Sequence, residues 1–559
     1  MNESPKLRVG LMLDSLELEA WQIRMIEEIQ RSDYAEIDCL IMNASPAEKQ
    51  SLSRRLFTGW GTRLFRLFMR AERAFLHALN MGGPDAFERR SARSLFEGLP
   101  RIRVMPRRTQ FVDHFPEEAV AEVAERRLDV LVRLGFRIIK GEILGAARHG
   151  VWSFHHGDNQ VVRGGAPGFW ELFQGRHLTG SVLQVLNEDL DNGLILSRSW
   201  SSTDRLFLHR SMNNYYWKTL SFLPRKLREL REAGGEVFFR NAEVLNRRPE
   251  FYSERLFREP GNGELTRLWM GHAARYLAFK IRKLFNIEQW VLFFHIGDSP
   301  GASLWRYKAI LPPKDRFWAD PFVIERAGRW FIFVEDYRYV DKRGRISVIE
   351  MDAKGNWTPA RVVLEQPYHL SYPFLFEHAG KLYMIPETVS NHSIEAYRCV
   401  EFPDRWEFVS TLMEDVDAVD TTLLERNGKW WLFANQVESP GASLMDELFV
   451  YSSDNPLGHD WTPHPANPVL SDVRSSRPAG RFFERDGRLF RPSQDSSRLY
   501  GYALSLNHVT ALDEHRFEEE PWSRIEPNWH PRVMGVHTLN FAGRLTVVDA
   551  FYRRSRLRR

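Results

Sequence analysis

The chain has almost no cysteine: Cys39 and Cys399 are the two in 559 residues. Thiols so far apart build neither a disulfide framework nor a cysteine metal site, and no metal is expected. Charge of one sign is equally scarce, because 77 Lys and Arg stand against 73 Asp and Glu for a formal charge of +4. That balance leaves no electrostatic footprint for nucleic acid. Uninterrupted apolar runs fall far short of the roughly 18 residues that cross a bilayer, so no transmembrane span is expected. The opening Met1-Asn2-Glu3-Ser4-Pro5 passes straight into a strand-like Leu7 to Leu13 without the basic, apolar start of a signal peptide. A cytoplasmic setting is the resulting expectation.

What is abundant is apolar and aromatic surface, at 43% hydrophobic and 13% aromatic residues. A chain of this length exceeds what one hydrophobic core holds, so two or three domains are expected. Residues 1–205 alternate strand-like and helix-like stretches, which predicts an α/β domain on a parallel sheet. Within it, residues 46–99 read as an inserted helical pair rich in Arg, Phe and Leu, such as Arg54, Phe57, Arg66 and Phe68. A basic amphipathic stretch of this kind either packs on its own domain or makes peripheral contact with an anionic membrane. Residues 206–300 read as a helical connecting region whose later part, Leu268 to Phe294, mixes Trp269, Arg275, Lys280 and Lys283 in the same manner.

From residue 301 to 559 the pattern becomes short strands and turns. Five segments start at Asp320, Tyr372, Asp420, Ala479 and Gly535, and each reaches a glycine eight residues later: Gly328, Gly380, Gly428, Gly487 and Gly543. A repeat of about 50 residues suits a four-stranded blade, and five of them predict a five-bladed β-propeller closed by chain segments from either side of the array.

The densest motif is Gly150 to Trp170, which includes Ser153, His155, His156, Arg163, Gly164 and Pro167, followed by Asp189-Leu190-Asp191-Asn192-Gly193. Together they resemble the formyltransferase family, in which Asn-x-His ends a strand, Arg-Gly-x-x-Pro follows, and Leu-Asp-x-Gly comes later. The resemblance implies a Rossmann-like fold, 10-formyltetrahydrofolate as formyl donor, and His155 and Asp191 as the catalytic pair. Ser153, in place of the family asparagine, would donate to the oxyanion. Arg163, Gly164 and His156 would bind substrate, while Gly135, Phe136, Ile138 and Asp189 would bind the cofactor. An imidazole oriented by a carboxylate can accept the proton of an attacking amine, and a donor aimed at the oxyanion stabilises it.

Polar residues on innermost propeller strands line the central channel, and Asp320, Glu387, Asp420, Arg477, Asp495 and His537 fall at or near such positions. For Asp320 and Asp420, ligand contact and turn capping are both open. This half resembles glycoside hydrolase family 43 and, more closely, the amino-terminal propeller of the plant glucosamine inositolphosphorylceramide transferases. Combining the resemblances implies folate-dependent N-formyl transfer to a small-molecule amino sugar or amine-bearing glycoconjugate precursor, with the propeller binding carbohydrate. Two alternatives are a non-catalytic carbohydrate-binding or scaffold protein in surface-polysaccharide assembly, and a propeller that is itself the glycosidase or glycosyl transferase.

Overall fold

The computed structural model describes residues 5–46, 60–247, 251–298 and 303–556. Two compact units result, one of residues 1–273 with 438–443, the other of 274–437 with 444–559. In the first, strands β1 (Leu7–Leu13), β2 (Ala35–Asn43), β3 (Arg101–Val104), β4 (Val130–Arg133), β5 (Val151–His155), β6 (Leu178–Val185) and β7 (Leu194–Ser202) form one sheet in the order β7-β6-β5-β4-β1-β2-β3. The five strands β1 to β5 run parallel, and β6 and β7 add an antiparallel edge.

Strands buried on both faces need apolar residues at successive positions, and β1 supplies them. Its Val9, Leu11 and Leu13 enter a core with Trp21, Met25 and Ile26 of the helix Ala20–Arg31. Met12 points to the opposite core, with Ile41, Leu131 and Val123 of the helix Glu117–Glu125. Each such side chain contributes about 1.5–3 kcal/mol on burial. Cys39 lies in this second core, where burial and then Asp38 push its thiol up to about 11, so it is chemically inert.

The region expected to connect the halves is divided between them. Helices Leu208–Thr219, Phe222–Ala233 and Gly235–Leu245 put Leu220, Leu223, Leu227 and Phe238 into the core beneath β1. Strand Asn286–Ile296 instead pairs antiparallel with the last strand, Leu545–Ser555. Of the expected helical pair in 46–99, residues 47–59 lie outside the described residues, and the described part holds one α-helix, Arg63–Ala78.

The second unit contains five antiparallel sheets in sequence order, the propeller that the glycine spacing predicts. Four start at strands Arg316–Arg326, Ser371–His378, Ala418–Arg426 and Phe483–Arg485, and the fifth joins Asn286–Ile296 to the carboxyl-terminal strands. The turn glycines explain the spacing. Ala327-Gly328, Ala379-Gly380, Asn427-Gly428 and Asp486-Gly487 all have positive φ at both residues. That is the two-residue hairpin turn whose twist matches that of strands, and glycine meets it without steric cost. The regular aromatics pack neighbouring sheets face to face: Phe322 and Phe333, Phe374 and Tyr397, and Trp430 and Phe449 come from three successive blades into one core.

Candidate functional site

The propeller site begins with backbone strain. Asp320, Tyr372 and Asp420 have φ of 51°, 43° and 54°, each inside a register shift of its strand. A left-handed bulge re-aims a side chain out of the pleat, and in non-glycine residues it costs on the order of 1–3 kcal/mol, which is the kind of strain that gathers at functional sites.

Around these bulges lies a buried charge cluster. The Asp320 Oδ1 accepts from Thr538 Oγ1 at 2.9 Å and lies 3.2 Å from His537 Nε2. The other ring nitrogen of His537 is 2.7 Å from Asp549 Oδ2, and Trp290 stacks on the imidazole at 4.1 Å. Burial alone would lower His537, but Asp549 and Asp320 together hold it above the ordinary range. Asp420 takes two bonds from Arg477, Nε at 2.5 Å and Nη2 at 3.1 Å, and one from Gln494 Nε2 at 2.7 Å. The same Nη2 is 3.5 Å from Glu387 Oε2. Asp320, His537 and Asp549 also have ligand atoms within 4.8 Å of one another, the one such group among the described residues that could hold a metal ion.

The titration behaviour separates these acids. Burial, followed by the charge of Asp420, pushes Glu387 up to about 8. Burial raises Asp320 to about 6, against the pull of His537. Glu335 is raised well above its ordinary value by burial and by Asp320, Glu387 and Asp420 around it. Near neutral pH the site therefore holds a protonated Glu387 beside an ionised Asp320.

The structure thus brings Asp320, Glu387, Asp420, Arg477 and His537 together. Asp495, by contrast, is tied to Arg524 at a strand end. Glu335, Gln494 and Asp549 went unrecognised in the sequence, although a signal exists. Glu335, Glu387, Asn435 and Gln494 each lie seven residues after a turn glycine, as buried polar residues in otherwise apolar strands.

In the first unit, His155 ends β5 and Asp191 occupies a left-handed position, φ 52°, in the loop before β7. His155 Nδ1 is 3.4 Å from Asp191 Oδ1, and its Nε2 is 3.0 Å from the Val162 carbonyl. Asp191 Oδ2 accepts from Gly164 N at 3.2 Å, and Arg163 donates to Asn159 O at 2.7 Å and Asn192 Oδ1 at 3.1 Å. Burial would lower His155, but Asp191 and the Val162 carbonyl raise it; Asp191 is lowered by His155 and Gly164 despite its burial. Both ring nitrogens of His155 face acceptors, an arrangement that favours its protonated form over the neutral one.

Three expected roles are corrected by this geometry. Ser153 is fully buried, its hydroxyl accepting from Arg133 Nε at 3.1 Å, so it cannot face an oxyanion. His156 stacks on Tyr216 at 3.7 Å, bonds Thr219, and is pushed down to about 3 by burial and by His155; it is a neutral packing residue rather than a substrate ligand. Asp189 is an exposed turn residue whose amide donates to Asn187. Gly135 abuts β1 so closely that a Cβ would lie 2.4 Å from Asp14 N. Phe136 donates its amide to Asp14 at 2.9 Å and lines a cavity of about 360 Å³ shared with Asn43, Arg108 and Arg137. Ile138 pairs with Val112 in a small separate sheet.

The His155 pair carries a pH signature. A histidine raised in the folded state contributes stability that is complete below the free imidazole value of about 6.5 and is lost as pH rises through the folded value. Asp191→Asn should flatten the first unit's loss of stability as pH rises above about 6.5, as read by urea unfolding across pH; an unchanged slope would show that the pair carries no charge.

By fold and site, the chain is an α/β unit joined to a five-bladed propeller with a buried acid cluster. Residues 310–527 match the family model described as glucosamine inositolphosphorylceramide transferase 1, N-terminal. Glucosamine inositolphosphorylceramide transferase 1 of Oryza sativa subsp. japonica is 33% identical over 208 residues, 37% of this chain and 28% of that protein. Its Arabidopsis thaliana namesake is 32% identical over 266 residues, 43% and 34% of the two chains. The chain thus spans about a third of the curated relatives it matches. Among solved structures, the family 117 glycoside hydrolase Zg3597 of Zobellia galactanivorans aligns with TM-score 0.32 and 12% identity, over 47% of this chain and 91% of that one. These findings correct the expectation of a folate-dependent N-formyltransferase: the relatives are named as glucosamine inositolphosphorylceramide transferases, and no formyltransferase stands among them.

Proposed function

We propose that the propeller is a glycosyl-transferring enzyme, with Glu387 as general acid and Asp320 as general base. The observation that carries this reading is the split between two buried carboxyls in one cluster, about 8 and about 6. Environments that push two acids apart assign the proton donor and the acceptor. Glu387 gives its proton to the leaving oxygen as the bond from the sugar's anomeric carbon breaks. The acceptor hydroxyl attacks that carbon, and Asp320 takes its proton. Likeness over residues 310–527, which include both acids, favours an amino sugar as the transferred group and an inositol phosphate glycolipid as the acceptor.

The test is transfer from glucosamine-bearing donors, nucleotide-activated and aryl glycosides alike, to inositol phosphate acceptors or to water, followed by mass spectrometry. Turnover by the native chain that falls by about 10²–10⁴-fold in Asp320→Asn supports the assignment. Sugar binding without turnover would favour a second reading, in which the propeller only binds carbohydrate. One observation supports that alternative: the oxygens of Asp320 and Asp420 are already taken by Thr538, Tyr372, Arg477 and Gln494.

A further inference from the structure

A polar cavity of about 590 Å³ opens on the propeller, and Asp341, Lys342, Arg343, Tyr368, His369 and Ser390 line it. Lys342 ends the turn between strands Arg329–Arg338 and Arg343–Met351, and Ser390 lies in the turn after Lys381–Thr388. Because Arg338 pairs with Arg316, the Lys342 turn stands at the end of its blade from which Arg316–Arg326 runs in toward Asp320. His369 joins the cavity to the acid cluster: its Nδ1 accepts from the Gly344 amide at 2.9 Å, and its Nε2 lies 3.4 Å from Glu335 Oε1. A ring that accepts on one nitrogen is neutral and carries its proton on the other, and burial lowers His369 in the same sense.

The charges around the cavity indicate what it holds. Arg338 and Arg345 pair with Asp341 at 3.3 and 2.7 Å, and Arg343 and Arg345 pair with Glu365 at 2.7 and 3.5 Å. Three guanidiniums thus answer two acids, and the buried Nε atoms of Arg343 and Arg345 make no hydrogen bond. Tyr368 donates to Glu395 at 2.6 Å, but that carboxylate also takes bonds from Asn391, Ser393 and Tyr397. Lys342 adds a further cation, exposed and without an ion pair among the described residues. Fixed donors in excess of acceptors around a polar cavity select an anion. A phosphate, with charged oxygens on every side, accepts from an ammonium and a guanidinium together.

We propose that this cavity binds the phosphate group of a phosphate ester, on the Lys342 ammonium with Arg343 and the Ser390 hydroxyl beside it. The choice of ester rests on the reading of the propeller as a glycosyl-transferring enzyme with an inositol phosphate acceptor. A phosphate held on Lys342 leaves the rest of such a molecule beside His369, whose Nε2 faces Glu335 of the acid cluster.

The test is titration calorimetry of the full chain with myo-inositol 1-phosphate, uridine diphosphate, inorganic phosphate and plain myo-inositol. The phosphate-bearing ligands should bind and myo-inositol should not, with affinity falling as salt is raised. Tighter binding of inositol phosphate places the acceptor here and tighter binding of the diphosphate places the donor; either upholds the phosphate site. Lys342→Glu should lower the affinity at least about 10-fold, while Lys342→Arg retains it. Lys381→Glu makes the same charge change at the far end of the strand that leads to Ser390, and should leave binding as it is. Both lysines are exposed, so the fold should survive, which circular dichroism checks. Absence of phosphate binding, equal binding of myo-inositol, or equal effects of Lys342→Glu and Lys381→Glu would overturn the proposal. Binding is read without turnover, so a chain that holds these esters yet transfers no sugar would remove the catalytic assignment and leave the phosphate site standing.

Discussion

Glu387→Gln is expected to lower glycosyl transfer by about 10²–10⁴-fold, the usual contribution of a positioned general acid. The amide keeps the size of the side chain and removes its proton. The native rate should rise as Asp320 ionises near pH 6 and fall as Glu387 loses its proton near pH 8. Glu387→Gln should erase the alkaline limb of whatever rate remains. The same substitution has an opposite effect on stability. The folded value of Glu387 stands above its ordinary 4.5, so the stability associated with the group is complete below about pH 4.5 and is lost as pH rises toward 8. Glu387→Gln should therefore stabilise the propeller at pH 8 and change little near pH 4.5, as calorimetry at both pH values would show. An unaltered alkaline limb in the variant would remove Glu387 from the acid's role.

Arg477→Ala is expected to destabilise the propeller by about 3–5 kcal/mol, because removing one partner leaves buried charge uncompensated. Arg477 is itself buried and serves two acids, bidentate to Asp420 and 3.5 Å from Glu387. Arg477→Lys should recover part of the loss, since an ammonium restores charge but not the planar fork that grips Asp420. Urea unfolding followed by tryptophan fluorescence would measure both, with the propeller's transition fitted separately from the other unit's. A loss under about 1 kcal/mol would mean that water reaches the cluster and screens it.

Much of the propeller is readable in the residues because its repeat rests on local chemistry. A two-residue turn with both φ positive favours Gly, Asn and Asp, so Asn427-Gly428 and Asp486-Gly487 announce hairpins, and the glycines at the same place in the other repeats mark theirs. The acids were legible in part. Asp320 and Asp420 stand at the start of the repeated segments, but Glu335 is hidden in an apolar strand and shows only against its equivalents Glu387, Asn435 and Gln494. In the other unit, Ser153 and His156 looked functional from their neighbourhood in the motif. Whether either faces a cleft depended on Arg133 and Tyr216, which other elements deliver.

The sequence by itself determined the alternation of the first unit and the five repeats of the second, because turn preference and apolar periodicity act over a few residues. The tertiary structure alone decided which polar side chains meet. Asp320 joins His537 and Asp549 because Arg316–Arg326 packs against the carboxyl-terminal strands, and Arg477 joins Asp420 and Glu387 across separate sheets. It also decided their protonation, since a carboxyl's proton affinity is set by the water it loses and the charges it gains on burial.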